Sequence, residues 1–310
     1  MPVLPNPDYL SHPKFRPMAE RIDERTRITA LNQFLPALNR AYSDWTDAQR
    51  PDFDARIGAG DEALGELQRS GVSLLRIDTD AKAALTRLTE PHFDPLRARL
   101  EVVSKPKFRD MNAPLDKAKD PGIYAAVEAI FRQLHVFDIA GAYVRQPLRI
   151  KKLFVQLNNE QETGARYGAI DEQGLPGLKT DYWHIDSDVW PSVKVLIYLN
   201  DVDLDHGPLR YVTGSHREVP DFETLVRKTN DTLKLPADQF LSLPDELRMH
   251  ALFGPYLAGD EPKALEMLGR ERTLCGGGAD LILFDNNGVH RGGFVRSGER
   301  QLLQCLFEAP

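Results

Sequence analysis

Apolar positions change their spacing along the chain, and the change falls near residue 148. Before it, hydrophobic residues recur at helical intervals. Ile28, Leu31, Phe34, Leu35, Leu38 and Tyr42 predict a helix within residues 21–45. Asp61 is placed to cap a short helix through Gln68, stopped by Ser70-Gly71. The run GVSLLRI predicts a strand over Val72 to Ile77. A second helix is expected from about Pro121 to His135, with Tyr124, Val127, Ile130, Phe131 and Leu134 on one face. The first twenty residues are rich in Pro and read as an extended arm packed over the surface.

From residue 148 onward the pattern shortens. LRIKKLFVQLN, DYWHID, SVKVLIYLNDV, PLRYVTG, RTLCG, ADLILFDN, GVHRGG and RQLLQCLFEA are rich in β-branched or aromatic residues and separated by Gly, Pro, Asp and Asn. Eight such strands are the number a double-sheet jelly roll needs. Residues 218–270 interrupt them with a charged, helical insertion (DFETLVRK, LPDELRMHALF, EPKALEMLGR), of a length that usually builds a lid or a pocket wall. The expected architecture is mainly β with helical support: an α-rich region over 1–147 packed on a double-stranded β-helix, cupin-like, over 148–310, as one structural unit.

The chain has 310 residues, 42% hydrophobic, with a net charge of -7, which suits one large core. An acidic balance without a basic stripe argues against nucleic-acid partners. The N-terminal MPVLPNPDYLSHPKF lacks a basic-then-apolar signal pattern, and no apolar run reaches membrane-spanning length, so a soluble cytoplasmic protein is expected. The two cysteines, Cys275 and Cys305, make neither a metal pair nor a disulfide framework and read as small buried strand residues. Such scarcity fits a reducing compartment.

The chemistry centres on Trp183-His184-Ile185-Asp186. In a strand, residues i and i+2 share a face, so the His184 imidazole and the Asp186 carboxylate converge. With eight histidines in the chain, one H-x-D is close to a chance occurrence, and position gives it weight. It falls on the second predicted strand, while His290 opens the seventh, in FDNNGVHRGG, roughly a hundred residues later. Two His and one carboxylate on one side of an ion form the facial triad of non-haem iron(II) oxygenases, which leaves the opposite positions open. Arg300 follows His290 by ten residues and enters the eighth strand. Its planar fork suits a carboxylate held at depth, and either that or an outward-facing strand start accounts for it. Arg296, in the turn VRSGER, is the competing anchor and the more solvent-directed one.

The stretch from Trp183 to Phe307 resembles the phytanoyl-CoA dioxygenase family of 2-oxoglutarate-dependent oxygenases. The matching pieces are WHIDSDVWP, LIYLNDVDLDHGPLRYVTGSH, LILFDNNGVHRGG and GERQLLQCLF, with Thr213 where the family more often has Pro and an Arg spacing one residue short. The resemblance covers the C-terminal half. It implies His184, Asp186 and His290 as metal ligands, Arg300 as the co-substrate anchor, and Fe(II), 2-oxoglutarate and O2 as the reacting set. It also implies an oxidation, such as hydroxylation, with succinate and CO2 released. A small polar metabolite or natural-product intermediate is the expected substrate rather than an acyl-CoA, because no clear basic cluster for a nucleotide phosphate appears outside the barrel. Asp186 stands where related halogenases have a small residue, which favours hydroxylation; desaturation, cyclisation and epimerisation use the same ligands.

Further candidates each have two readings. Gln156 and Asn158 alternate on the first barrel strand and face either the cavity or solvent. Thr213 either donates to the co-substrate or serves the turn before Gly214. Tyr182 and Trp190 either wall a substrate pocket or simply pack. Arg291, on the face opposite His290, is a candidate for supporting the metal site or meeting substrate charge. His206 and His216 read as turn residues, with Gly214-Ser215-His216 fixing loop geometry, and His12, His92, His135 and His250 have no partner at ligand spacing. Gly276-Gly277-Gly278 reads as a tight turn, since no G-K-[ST] follows. Two other classes compete: a cupin-like metal enzyme without 2-oxoglutarate, for which Arg300 would be dispensable, and a non-catalytic jelly-roll binding module. Oligomeric state is not legible.

Overall fold

The computed structural model describes residues 60–103, 108–160, 186, 192–217, 269–276, 281–293 and 295–310. The expected helix within 21–45, the N-terminal arm and nearly all of the 218–270 insertion lie outside these residues, as does the DYWHID strand apart from Asp186.

Helix α1 (Asp61–Ser70) begins one residue after its N-cap, Gly60, so Asp61 occupies the first turn rather than the expected cap. There its charge meets the positive end of the helix dipole, beside Glu62, with Arg69 at the other end. Gly71 ends the helix in the left-handed conformation, φ 81°, and its N–H donates to the Leu67 carbonyl. Strand β1 (Val72–Leu75) follows directly, two residues shorter than expected.

Two helices follow that the hydrophobic pattern did not predict. In α2 (Thr79–Thr89), Asp78 accepts from the amides of Asp80 and Ala81, while only Leu85 and Thr89 are buried. Helix α3 (Phe93–Val102) buries Phe93, Leu96 and Leu100. With so few buried positions the apolar stripe is too thin to read. After the short strand β2 (Asn112–Pro114), helix α4 (Pro121–Gln133) buries Ile123, Tyr124, Val127, Ile130 and Phe131. It stops two residues before the expected end, because His135 takes a left-handed φ of 55°. A further helix, α5 (Val136–Val144), is buried nearly all round and shows no stripe to find.

The remaining strands are β3 (Arg149–Asn159), β4 (Val193–Tyr198), β5 (Leu209–Val212), β6 (Glu271–Leu274), β7 (Leu281–Asp285), β8 (His290–Arg291) and β9 (Glu299–Glu308). All pairings are antiparallel. One sheet has the order β1-β7-β4-β9-β3-β2 and the other β6-β5-β8. The chain passes between the sheets after β4, β6, β7 and β8, which is the winding of a double-stranded β-helix. The jelly-roll expectation holds.

Strand alternation sorts the large sheet onto two buried faces. Leu153, Val155, Val195, Ile197, Leu283 and Leu303 pack in one apolar cluster with helical residues such as Leu67, Leu96, Phe131 and Ile139. The intervening residues Leu196, Tyr198, Ile282, Phe284 and Leu302 face the small sheet and pack with Leu209, Tyr211 and Leu274. Two tyrosines brace the sheets. Tyr198 donates from β4 to the Leu274 carbonyl (3.0 Å) and accepts from the Leu209 amide (2.8 Å), and burial pushes its phenol up to about 12. Tyr211 donates from β5 to the Asp285 carbonyl at 2.9 Å. Cys305 is buried on the helix-facing side of β9, where burial pushes its thiol up. Cys275 is exposed just beyond β6, contrary to the expectation that both are buried.

Candidate active site

The turn between β7 and β8 sets the geometry of two candidate ligands. Asp285 ends β7, and its Oδ1 accepts from the Asn287 amide at 2.9 Å and from its side chain at 3.1 Å. The Gly288 amide closes back on the Asp285 carbonyl at 3.0 Å. Gly288 is required by space, since a Cβ there would lie 1.8 Å from Tyr211 Oη. The Val289 amide donates to Ser215 Oγ at 2.7 Å, so the Gly214-Ser215-His216 triplet does fix loop geometry, and the loop it fixes is the one before His290. The same turn anchors the other ligand: the Asp186 amide donates to the Asn286 carbonyl at 2.9 Å.

His290 leaves this turn with its ring held on three sides. Its Nδ1 is 2.7 Å from the Gly288 carbonyl, which can only accept, so the proton sits on Nδ1 and the Nε2 lone pair is available. The ring stacks on Tyr211 at 6.3 Å and meets Phe284 edge-on at 5.1 Å. Burial pushes the imidazole pKa down, against the opposing pull of Asp186, and so favours the neutral form that a metal needs. Nε2 faces Asp186 Oδ2 at 3.7 Å.

These two groups line a cavity of about 120 Å³ between the sheets. Apolar walls come from Leu196, Tyr198, Leu209, Phe284 and Leu302, and polar groups from Gln156, Lys194, Arg300 and Gln304. Arg300 is 4% exposed, and its guanidinium donates to the Gly293 carbonyl at 3.3 Å, close to where β8 ends. Gln304 donates to Gln156, which donates to Asn158 Oδ1 at 2.7 Å, forming an amide chain across β9 and β3. Outside the barrel, Arg97 of α3 grips both oxygens of Glu299, at 3.1 and 2.6 Å, and so fixes the start of β9 one residue before Arg300.

Of the residues expected from sequence, Asp186, His290, Arg300 and Gln156 meet in the cavity. Asn158 is buried on the same face, opposite Arg300 in the ladder, and reaches the site through Gln156. Thr213 donates its hydroxyl to the Arg270 carbonyl at 3.0 Å, which is the turn reading, and it is not among the described residues that line the cavity. Arg291 pairs across the ladder with Arg210 and does not line the cavity, as its alternation with His290 requires. Arg296 lies in its exposed turn, 3.9 Å from Asp205. His184, Tyr182 and Trp190 lie outside the described residues.

Sequence reasoning missed Lys194, whose ammonium is 2.6 Å from Asp186 Oδ2. Its signal was a lone charge in the apolar strand VKVLIY, in phase with Leu196 and Tyr198. It also missed Tyr143, whose hydroxyl donates to Asp285 Oδ2 at 2.6 Å.

Among the described residues no group of three metal-binding side chains stands together; Asp186 and His290 are two. Their chemistry fits a divalent cation: a neutral imidazole with its lone pair presented, and a carboxylate beside it.

No protein-family profile and no curated protein matches the chain. Among solved structures, it is similar to AviO1 from Streptomyces viridochromogenes Tue57, with 17% identity over 84% of this chain and 97% of that one, at a TM-score of 0.46. It is similar to EctD from S. alaskensis with 2-oxoglutarate and 5-hydroxyectoine, with 16% identity over 84% and 82% and a TM-score of 0.48. It is also similar to SnoN, the non-heme alpha ketoglutarate dependent epimerase from nogalamycin biosynthesis, with 14% identity over 81% and 83% and a TM-score of 0.44.

Proposed function

We propose that this chain is an Fe(II)- and 2-oxoglutarate-dependent oxygenase that hydroxylates a small metabolite or natural-product intermediate. The observation that carries this is the meeting of His290 Nε2 and Asp186 Oδ2, 3.7 Å apart, in a cavity that also contains the buried Arg300. His184, two residues before Asp186 on the expected strand, is the third ligand in this reading. The phytanoyl-CoA dioxygenase resemblance supports the same three ligands and the same Arg.

Each residue then has a task. His290 and Asp186 would hold the ion through a neutral nitrogen and an anionic oxygen. Arg300 receives the distal carboxylate of 2-oxoglutarate, where its delocalised charge forms paired hydrogen bonds. Gln156 and Gln304 offer neutral polar contacts, and Leu196, Phe284 and Leu302 exclude water from the reacting centre. When bound, iron and 2-oxoglutarate would let O2 act as the oxidant, one oxygen atom going into succinate as 2-oxoglutarate loses CO2 and the other into the substrate.

Anaerobic titration with Fe(II) and then 2-oxoglutarate tests this. A weak visible band from the chelated keto acid should appear in the wild type and vanish in His290→Ala and His184→Ala. If neither compound binds, the oxygenase reading fails. If metal binds and 2-oxoglutarate does not, the cupin-like metal enzyme replaces it.

A further inference from the structure

Lys194 sits in the middle of the large sheet, paired with Phe284 on one side and Leu306 on the other. Its neighbours Val193 and Val195 pack in the helix-facing cluster, and alternation sends its own side chain into the cavity. A charge in so apolar a strand needs a counter-charge, and the ammonium finds Asp186 Oδ2 at 2.6 Å. That is the oxygen that faces His290 Nε2 at 3.7 Å. One carboxylate oxygen thus accepts from a resident cation and faces the imidazole with which it would share a metal.

Resting on the functional reading above, we propose that Lys194 is the resident cation of the metal site. Its ammonium pairs with Asp186 at Oδ2, the oxygen that faces His290, and so competes with a divalent ion for that atom. The reason is geometric. A metal–oxygen bond of about 2.1 Å at Oδ2 would bring the ion within at most ~4.7 Å of an ammonium that stayed 2.6 Å from the same atom. The Lys194 side chain is only 20% exposed, so water screens that repulsion poorly. Lys suits the part better than Arg, because it makes point contact on a flexible stem and can swing away within the cavity. The device compensates a half-buried carboxylate with a charge of the protein's own, and it weakens metal binding by placing a second cation at the same oxygen.

The test uses Lys194→Met and Lys194→Gln in the full chain, with Co(II) as the probe and calorimetry as the readout. Removing the resident cation should tighten Co(II) binding at least tenfold in both variants. It should also lower the melting temperature of the metal-free protein, because Asp186 loses its counter-ion. Those opposite signs separate the proposal from a purely structural role, which would weaken both folding and metal binding. Co(II) affinity that is unchanged or weaker in both variants overturns the proposal. A wild type that binds no divalent ion overturns the functional reading instead.

Discussion

The Tyr143 hydroxyl, carried on helix α5, donates to Asp285 Oδ2 at 2.6 Å, while the other oxygen of that carboxylate organises the turn leading to His290. A helix outside the barrel thereby holds a candidate metal ligand inside it. Tyr143→Phe removes one hydrogen bond to a fully buried carboxylate and keeps the ring. The expected cost is about 1–3 kcal/mol, read by chemical denaturation. Metal affinity should fall as well, because the turn that aims His290 loses one of its ties. A variant with the same metal affinity would show that the turn holds itself.

Gly288 tests the same turn from the other side. In Gly288→Ala the new methyl would lie 1.8 Å from Tyr211 Oη and 2.3 Å from its Cζ, so either the turn or Tyr211 has to move. Both contact His290. The expected result is a loss of about 1–3 kcal/mol from overpacking together with weakened metal binding. Tyr211→Phe in the same chain should recover part of both.

Arg300 is the residue whose loss separates the readings of the cavity. Arg300→Ala should leave metal affinity near the wild-type value and weaken 2-oxoglutarate by about 2–5 kcal/mol, the usual consequence of truncating one partner of a buried charged pair. Arg300→Lys should recover only part of this, since an ammonium cannot form two parallel bonds to a carboxylate. Equal 2-oxoglutarate binding in all three proteins would remove Arg300 from the site.

The Arg97–Glu299 pair gives a pH signature. The Arg97 guanidinium holds the Glu299 carboxyl below its ordinary value of 4.5. In the window between the lowered folded value and 4.5 the unfolded chain binds more protons, so stability rises with pH there. The contribution is complete above 4.5 and fades as pH falls through the folded value. Arg97→Met should flatten the acid limb of a stability-against-pH curve and leave its slope near neutrality unchanged. An unaltered acid limb would show that the pair contributes nothing.

The elements legible in sequence were those that leave either a helical stripe or a short apolar run bounded by turn residues. Helix α4 is of the first kind, and strands β3, β7 and β9, buried on both faces over much of their length, are of the second. Helix α5 was hidden because it is apolar all round, and α2 because it buries so little. The α4–α5 break depends on His135 at φ 55°, a backbone choice for which the residue type gave no warning.

By itself the sequence determined the jelly-roll class, the separation between Asp186 and His290 along the chain, and the Arg that enters the last strand. All three follow from strand periodicity and from residue types whose chemistry is narrow. Only the tertiary structure decided that Thr213 gives its proton to a backbone carbonyl, that Tyr143 reaches the turn before His290, and that Lys194 shares an oxygen with the candidate ligand set. The physical reason is range. Alternation is a property of neighbouring residues, whereas Tyr143 and Asp285 are 142 positions apart and meet only because the helices and the barrel pack on one sheet.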